Sequence, residues 1–109
     1  MWKVEFLNDK VEKEFLELPN HLQAKGFILF RVLEVRGNNI GEPITKSLGG
    51  GLFKLRIKSD GDIARSIYFY EIGKRIIILA SFVKKTQKTP NHIIDLAKQR
   101  LKDYKNENN

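Results

Sequence analysis

Three strand-like runs separated by two short turns constrain the fold more than any other feature of the chain. Leu52–Lys58 and Ile63–Tyr70 flank the segment Ser59–Asp62, whose central Asp-Gly pair suits the positive backbone angles of a type I′ hairpin turn. Glu71–Lys74 forms the second turn, and Arg75–Val83 is rich in β-branched residues and apolar on both sides, as in a central strand. The sequence therefore predicts an antiparallel sheet in the second half of the chain.

The rest of the chain supplies one more strand and three helices. Apolar residues alternate over Trp2–Leu7, which predicts a strand, and a short helix follows, capped by Asn8 or Asp9 and ended by Pro19. A longer helix is predicted over His21–Arg36, and residues 37–51, rich in Gly and Asn, are expected to form a loop. A last helix is expected from Pro90, with Thr89 as its cap.

These elements give the order β-α-α-β-β-β-α. We expect an α+β fold in which two N-terminal helices pack on a mostly antiparallel sheet. The 109 residues suffice for one such domain, spanning residues 1–109.

Charge is unevenly distributed along the chain. Residues 1–43 hold six Lys/Arg and seven Asp/Glu, whereas residues 44–109 hold fourteen Lys/Arg and six Asp/Glu, so the net charge of +7 comes from the second part. A basic half beside a neutral half indicates a surface that meets a polyanion. The chain has no cysteine and no run of about 18 apolar residues, and its first residues alternate in polarity, so we expect a cytoplasmic protein without membrane contact.

The first hairpin determines which side chains share a face. If Asp60 and Gly61 form a two-residue loop, Arg56 lies directly opposite Arg65, and Lys54 lies opposite Ile67 on the same face. Like charges in such positions repel each other, and an anion lying over the pair relieves that repulsion.

A two-residue second turn places the even positions of the third strand on the Arg65 face. Those positions are Ile78, Ala80, Phe82 and Lys84. Lys85 and Lys88 lie at the rim, and the mixture of cations with an aromatic ring suits RNA. A three-residue loop at either turn would reverse the parity and scatter the cluster. Basic side chains also commonly decorate exposed strands without any such role.

Conventional catalytic groups are sparse. The two histidines, His21 and His92, fall near predicted helix starts, and the sequence has no metal-binding or phosphate-loop motif. We therefore expect no cofactor and no metal, and an enzyme of this kind would depend on arginine and lysine.

The stretch from Leu48 to Pro90 resembles the RelE/ParE toxin superfamily, closest to its phage-related HigB-like branch. The similarity rests on GLFKLR, on an arginine before IYFY, and on LASFVKKTQKTP leading into a helix. The N-terminal strand and helices match as well. The resemblance implies a RelE-like microbial RNase fold and a toxin of a type II toxin–antitoxin system that cleaves messenger RNA on the ribosome, as a metal-independent endoribonuclease inhibiting translation.

The resemblance also implies roles for individual residues. Arg56 and Arg65 match strand arginines that handle phosphate, and Lys84 and Lys85 match the basic pair after the last core strand; these four form the expected catalytic set. A second group is assigned to RNA or ribosome binding: Lys54, Lys58, Phe82, Lys88 and His92. The general base and acid have no clear equivalent, although cations crowded around a lysine would lower its pKa and make it a better base.

The implied partners are messenger RNA in the A site of the small ribosomal subunit and a cognate antitoxin, expected to be a helix-turn-helix protein. Two alternatives remain, of which the first keeps the fold and changes the activity. ParE-type relatives act on DNA gyrase, and a non-catalytic module would bind nucleic acid in a salt-sensitive manner without cleavage.

Overall fold

The computed structural model describes residues 1–85 and 88–108, which form three helices and one five-stranded sheet. In chain order the elements are β1 (Lys3–Phe6), α1 (Asp9–Leu16), α2 (Asn20–Arg36), β2 (Thr45–Gly49), β3 (Leu52–Ser59), β4 (Asp62–Glu71), β5 (Arg75–Val83) and α3 (Asn91–Glu107). The strands lie in the order β1-β5-β4-β3-β2; β1 runs parallel to β5, and the other neighbours are antiparallel. The predicted α+β class, element order and mostly antiparallel sheet are confirmed, with β2 as an addition.

Strand β2 corrects the expectation of a loop over residues 37–51. It pairs antiparallel with β3, so that Lys46 lies opposite Lys54, and it forms an edge of the sheet. Its sequence, TKSLG, is short, polar and largely exposed, so it carries no hydrophobic alternation that would mark a strand. The turn to β3 uses Gly49–Gly51, whose φ angles of 85°, 62° and 84° favour glycine.

Helices α1 and α2 cover one face of the sheet. The Asn8 side chain caps α1 by accepting a hydrogen bond from the Val11 backbone N–H at 3.0 Å. The two helices and the sheet enclose a core, here called the two-helix core, whose buried members include Val11, Phe15, Leu18, Leu22, Leu29, Phe30, Leu33, Leu55, Ile57, Ala64, Tyr68, Ile76 and Ile78. The odd positions of β3 therefore face these helices, and its even positions face the other side.

Gly26 lies where α2 passes over Phe15, and we expect Gly26→Ala to destabilise the protein. A Cβ at this position would lie 2.6 Å from Phe15 Cζ. The ring is fully buried and packs against Phe6, Phe27 and Phe30, so it has little room to move. Overpacking costs about 1–3 kcal/mol, which outweighs the roughly 1 kcal/mol that alanine gains over glycine in a helix.

Urea denaturation should show a loss of about 1–2 kcal/mol for Gly26→Ala. The control is the same change in a Phe15→Leu background, where the smaller side chain leaves space and the loss should shrink. A variant more stable than the wild type would show that the Phe15 ring yields and that helix propensity decides.

Helix α3 packs on the opposite face of the sheet, against β5. It forms a second core, here called the α3 core, whose buried members are Leu52, Ile67, Phe69, Ile77, Leu79, Ala80 and Ala97. Arg100 of α3 donates to both carboxylate oxygens of Glu14 in α1, at 2.9 and 2.7 Å, and to the Leu79 carbonyl at 2.6 Å. This arginine therefore ties α3 to α1 and to β5.

Candidate functional site

The first hairpin has the register that the sequence predicts. Asp60 and Gly61 form a two-residue turn with φ angles of 49° and 84°, and Ser59 lies opposite Asp62. Arg56 therefore lies directly opposite Arg65. In the same register Lys54 lies opposite Ile67, and Lys58 lies opposite Ile63.

The second turn differs from the prediction, and a β-bulge compensates for the difference. Glu71 pairs with Arg75 across a three-residue loop, which reverses the expected parity of β5 next to the turn. Further along, Tyr68 pairs with Ile78 but Ile67 pairs with Ala80, so Leu79 is an extra residue in β5. The bulge reverses the parity a second time.

The predicted face is consequently correct at one end of β5 and wrong at the other. Phe82 lies opposite Arg65 and Ala80 opposite Ile67, so both share the Arg65 face, as expected. Ile78 instead belongs to the two-helix core, so its assignment to the Arg65 face was wrong. The Lys84 backbone N–H donates to the Ile63 carbonyl at 2.7 Å, which continues the pairing beyond the strand.

The structure thus gathers basic residues from β2, β3 and β4, and the residue after β5, on the side of the sheet opposite to α1 and α2. We call this set the basic face: Lys46, Lys54, Arg56, Lys58, Arg65 and Lys84. Arg56, Arg65 and Lys84, which the sequence assigns to one surface, lie close enough to influence one another electrostatically. The predicted convergence of these three side chains is present in the structure.

Mutual repulsion alters the protonation of the lysines. Partial burial, followed by the charges of Arg65, Lys46 and Lys84, holds the pKa of Lys54 below its ordinary value. Partial burial and the guanidinium groups of Arg65 and Arg56 likewise lower the pKa of Lys84. Both lysines therefore release a proton more readily than a free lysine does.

Arg65 is buried beneath the segment that follows β5. Its side chain is 3% exposed, and one guanidinium nitrogen donates to the Thr89 hydroxyl at 2.8 Å. Burial and the charge of Arg56 lower its pKa. The expected role of Thr89 as a helix cap was wrong, because α3 begins at Asn91, no side chain caps it, and the Thr89 hydroxyl binds Arg65 instead.

The remaining predicted residues lie around this centre. Lys85 and Lys88 are exposed in the segment after β5, and His92 is exposed in the first turn of α3. Phe82 is half-buried and packs against the α3 core, so only part of its ring is accessible. Two residues of the KKTQKTP motif, Thr86 and Gln87, lie outside the described residues.

Sequence reasoning missed two contributors to the site. Lys46 lies opposite Lys54 and forms an ion pair with Glu42 at 3.7 Å, but β2 had been expected to be a loop. Thr89 accepts a hydrogen bond from Arg65, which lies 24 residues earlier in the sequence, so no local sequence pattern predicts this contact.

Across residues 1–85 and 88–108, no group of three His, Asp or Glu side chains is placed to hold a metal ion. None of the helices in that part of the chain combines the length and the apolar character needed to cross a membrane.

Comparison with known proteins adds a family and a fold. Residues 13–102 match the family described as phage derived protein Gp49-like (DUF891). The chain is also similar to a solved structure of the E. coli toxin RelE, an arginine-to-alanine double mutant in the free state. That similarity has a TM-score of 0.66, covers 91% of this chain and 96% of that chain, and comes with 13% sequence identity, so it concerns the fold. No curated protein matches the chain significantly.

Proposed function

Because this chain belongs to the phage-derived Gp49-like family and has the fold of RelE-like toxins, we propose that it is a toxin of a type II toxin–antitoxin system that cuts messenger RNA. It acts as a ribosome-dependent endoribonuclease of the HigB-like kind, on messenger RNA in the A site. Its partner is a cognate antitoxin of the helix-turn-helix class, and its place of action is the cytoplasm.

The observation that carries this proposal is the pair Arg56–Arg65, directly opposed on neighbouring strands and flanked by Lys54 and Lys84. Opposed like charges repel each other and destabilise a sheet. An RNA phosphate lying over the two guanidinium groups relieves this repulsion, so the pair favours phosphate binding. Arginine suits the task because its planar guanidinium remains charged and reaches two phosphate oxygens at once. Arg56 is only partly buried and is the better placed of the two to contact phosphate directly.

The reaction is a transesterification. The 2′-hydroxyl oxygen attacks the adjacent phosphorus and loses its proton to a base, the bond to the 5′-oxygen breaks, and that oxygen takes a proton from an acid. The products are a 2′,3′-cyclic phosphate and a free 5′-hydroxyl. Arg56, supported by Arg65, stabilises the additional negative charge on the phosphorane-like transition state.

Proton transfer falls to lysines in this scheme. Lys84 is the base and Lys54 the acid, because both have lowered pKa values and both border Arg65. The flanking RNA or the ribosome is bound by Lys58, Lys85, Lys88 and His92. The exposed part of the Phe82 ring contributes to the same binding.

The pH dependence of cleavage follows from this assignment. A base acts in its deprotonated form and an acid in its protonated form, so the rate should rise with pH as Lys84 loses its proton and fall at higher pH as Lys54 loses its own. Because the Arg56 guanidinium helps to lower the pKa of Lys84, Arg56→Gln should move the rising limb of the profile to higher pH.

Single-turnover cleavage of ribosome-bound mRNA, measured over a pH range that reaches each variant's maximum and normalised to that maximum, tests this. Lys102→Ala, an exposed change on α3, should keep the wild-type profile. An Arg56→Gln profile that coincides with the wild type would exclude Lys84 as the base.

The function itself is tested by inducible expression in bacteria, with growth and the 5′ ends of mRNA as readouts. We expect growth arrest and new 5′ ends within translated codons. Arrest without cleavage, together with inhibition of gyrase on supercoiled DNA, would favour the ParE-like activity. Salt-sensitive binding without arrest or cleavage would favour a non-catalytic module.

A further inference from the structure

A small pocket lies beside the basic face, between α2 and the edge of β3. It has a volume of about 270 Å³ and is lined by Lys25, Leu29, Pro43, Ile44, Arg56 and Lys58. The pocket exists because β2 begins only at Thr45, opposite Leu55, so the part of β3 after Leu55 forms the edge of the sheet. The backbone turns away there, with the Arg56 N–H donating to the Ile44 carbonyl at 2.7 Å.

The lining of this pocket combines an apolar floor with a basic rim. Leu29, Pro43 and Ile44 supply aliphatic surface, and none of the six lining residues is acidic. A planar heterocycle can lie on such a floor while phosphate oxygens meet the cations at the rim. The volume is below the roughly 300–1,000 Å³ of pockets that enclose a whole small ligand, so it suits one ring system.

The pocket and the basic face are continuous. Arg56 contributes to both, and Lys58, also in the lining, lies across Ile63 from Lys84. A single RNA strand that places its reacting phosphate at Arg56 would therefore have the pocket beside it, because Arg56 also lines the pocket. This links the pocket to the strand that is cut.

We propose that this pocket binds the nucleotide next to the cleaved phosphate, with its base on Leu29, Pro43 and Ile44 and its own phosphate between Lys25 and Lys58. The proposal rests on the proposed function in so far as the strand is the substrate RNA. The pocket would then be a subsite, and the base bound in it would determine which neighbouring phosphate the enzyme cleaves.

Binding of uncleavable RNA to the full chain tests the subsite without any cleavage. The probes are 2′-O-methyl oligoribonucleotides of two and of six nucleotides, titrated against the protein by fluorescence anisotropy at several salt concentrations. Lys25→Ala should weaken binding of the hexamer roughly threefold to tenfold and reduce its salt slope by about 0.7, the value for one phosphate contact in a single strand. The dimer has a single phosphate and cannot fill both phosphate positions, so it should lose much less.

Two matched controls separate the subsite from general charge and apolarity. Lys102→Ala removes an exposed lysine on α3, and Ile72→Ser removes an apolar side chain that is 90% exposed at the β4–β5 turn. Ile44→Ser should weaken hexamer binding without changing the salt slope, whereas Ile72→Ser should leave both unchanged.

Three results would overturn the subsite: Lys25→Ala behaving like Lys102→Ala, Ile44→Ser behaving like Ile72→Ser, or a wild-type chain that does not bind the hexamer. Failure of the proposed function is visible separately, as absence of mRNA cleavage by the wild type, whatever the binding data show.

Discussion

Lys84→Ala is expected to slow cleavage of ribosome-bound mRNA by roughly 10²–10⁴-fold, the usual contribution of a positioned general base. Lys84 follows β5 on the Arg65 side of the sheet, and partial burial and the neighbouring arginines hold its pKa below that of a free lysine, so it is more often free to accept a proton. Binding should change much less, because the neighbouring cations of the basic face remain. The measurement is the single-turnover cleavage rate in a purified translation system, with Lys102→Ala as the matched control.

Arg65→Ala is the second variant of this experiment, because Arg65 belongs to the same basic face as Lys84. Since Arg65 is buried, the substitution can also affect folding. Circular dichroism and urea denaturation should accompany the rate, since the substitution also removes the contact with Thr89. Thr89→Val keeps the arginine and removes only the hydroxyl, so a rate loss in Arg65→Ala that Thr89→Val does not share reports on the guanidinium itself. Wild-type rates in both Lys84→Ala and Arg65→Ala would remove the catalytic assignment.

Arg100→Ala is expected to lower the free energy of unfolding by about 2–4 kcal/mol. Its side chain is 12% exposed, and its guanidinium binds Glu14 through two nitrogens and also donates to the Leu79 carbonyl. Removing the Arg100 side chain leaves the Glu14 carboxylate, which is 25% exposed, and the Leu79 carbonyl without this donor. Urea denaturation measures the loss, and the amide NMR signals of Phe82 and Lys84 should shift because Leu79 is the bulge residue.

Arg31→Ala is the matched control for this prediction. Arg31 pairs with Glu34 at 3.4 Å, but its side chain is 64% exposed, so the change should stay within about 0.5 kcal/mol. Equal losses in the free energy of unfolding for Arg100→Ala and Arg31→Ala would mean that the contacts of Arg100 with α1 and β5 add no stability.

Much of the fold could be predicted because its signals are local. The Asp60-Gly61 pair determines the register of β3 and β4 by its backbone angles alone, and the Asn8 cap marks the start of α1. Strand β2 could not be recognised, because it is made of polar and small residues and depends on pairing with β3. Such an edge strand is specified by its partner rather than by its own sequence.

The shared face of Arg65 and Phe82 was predicted correctly because two deviations cancel. The loop after Glu71 has one residue more than expected, and Leu79 adds a residue to β5, so Phe82 still lies opposite Arg65. Neither deviation has a clear signal in the local sequence. The bulge at Leu79 is stabilised by Arg100 of α3, which donates to the Leu79 carbonyl. The burial of Arg65 and its contact with Thr89 were likewise set by tertiary packing.

The extra residue in β5 limits how this chain can vary in length during evolution. Deleting one residue between Arg75 and Lys84, or inserting one, would exchange the inward and outward sides of everything that follows. Substitutions along the strand change one side chain each, whereas a single insertion or deletion would turn Phe82 and Lys84 away from Arg65 together. For this strand the residue count is therefore constrained as strongly as the residue types.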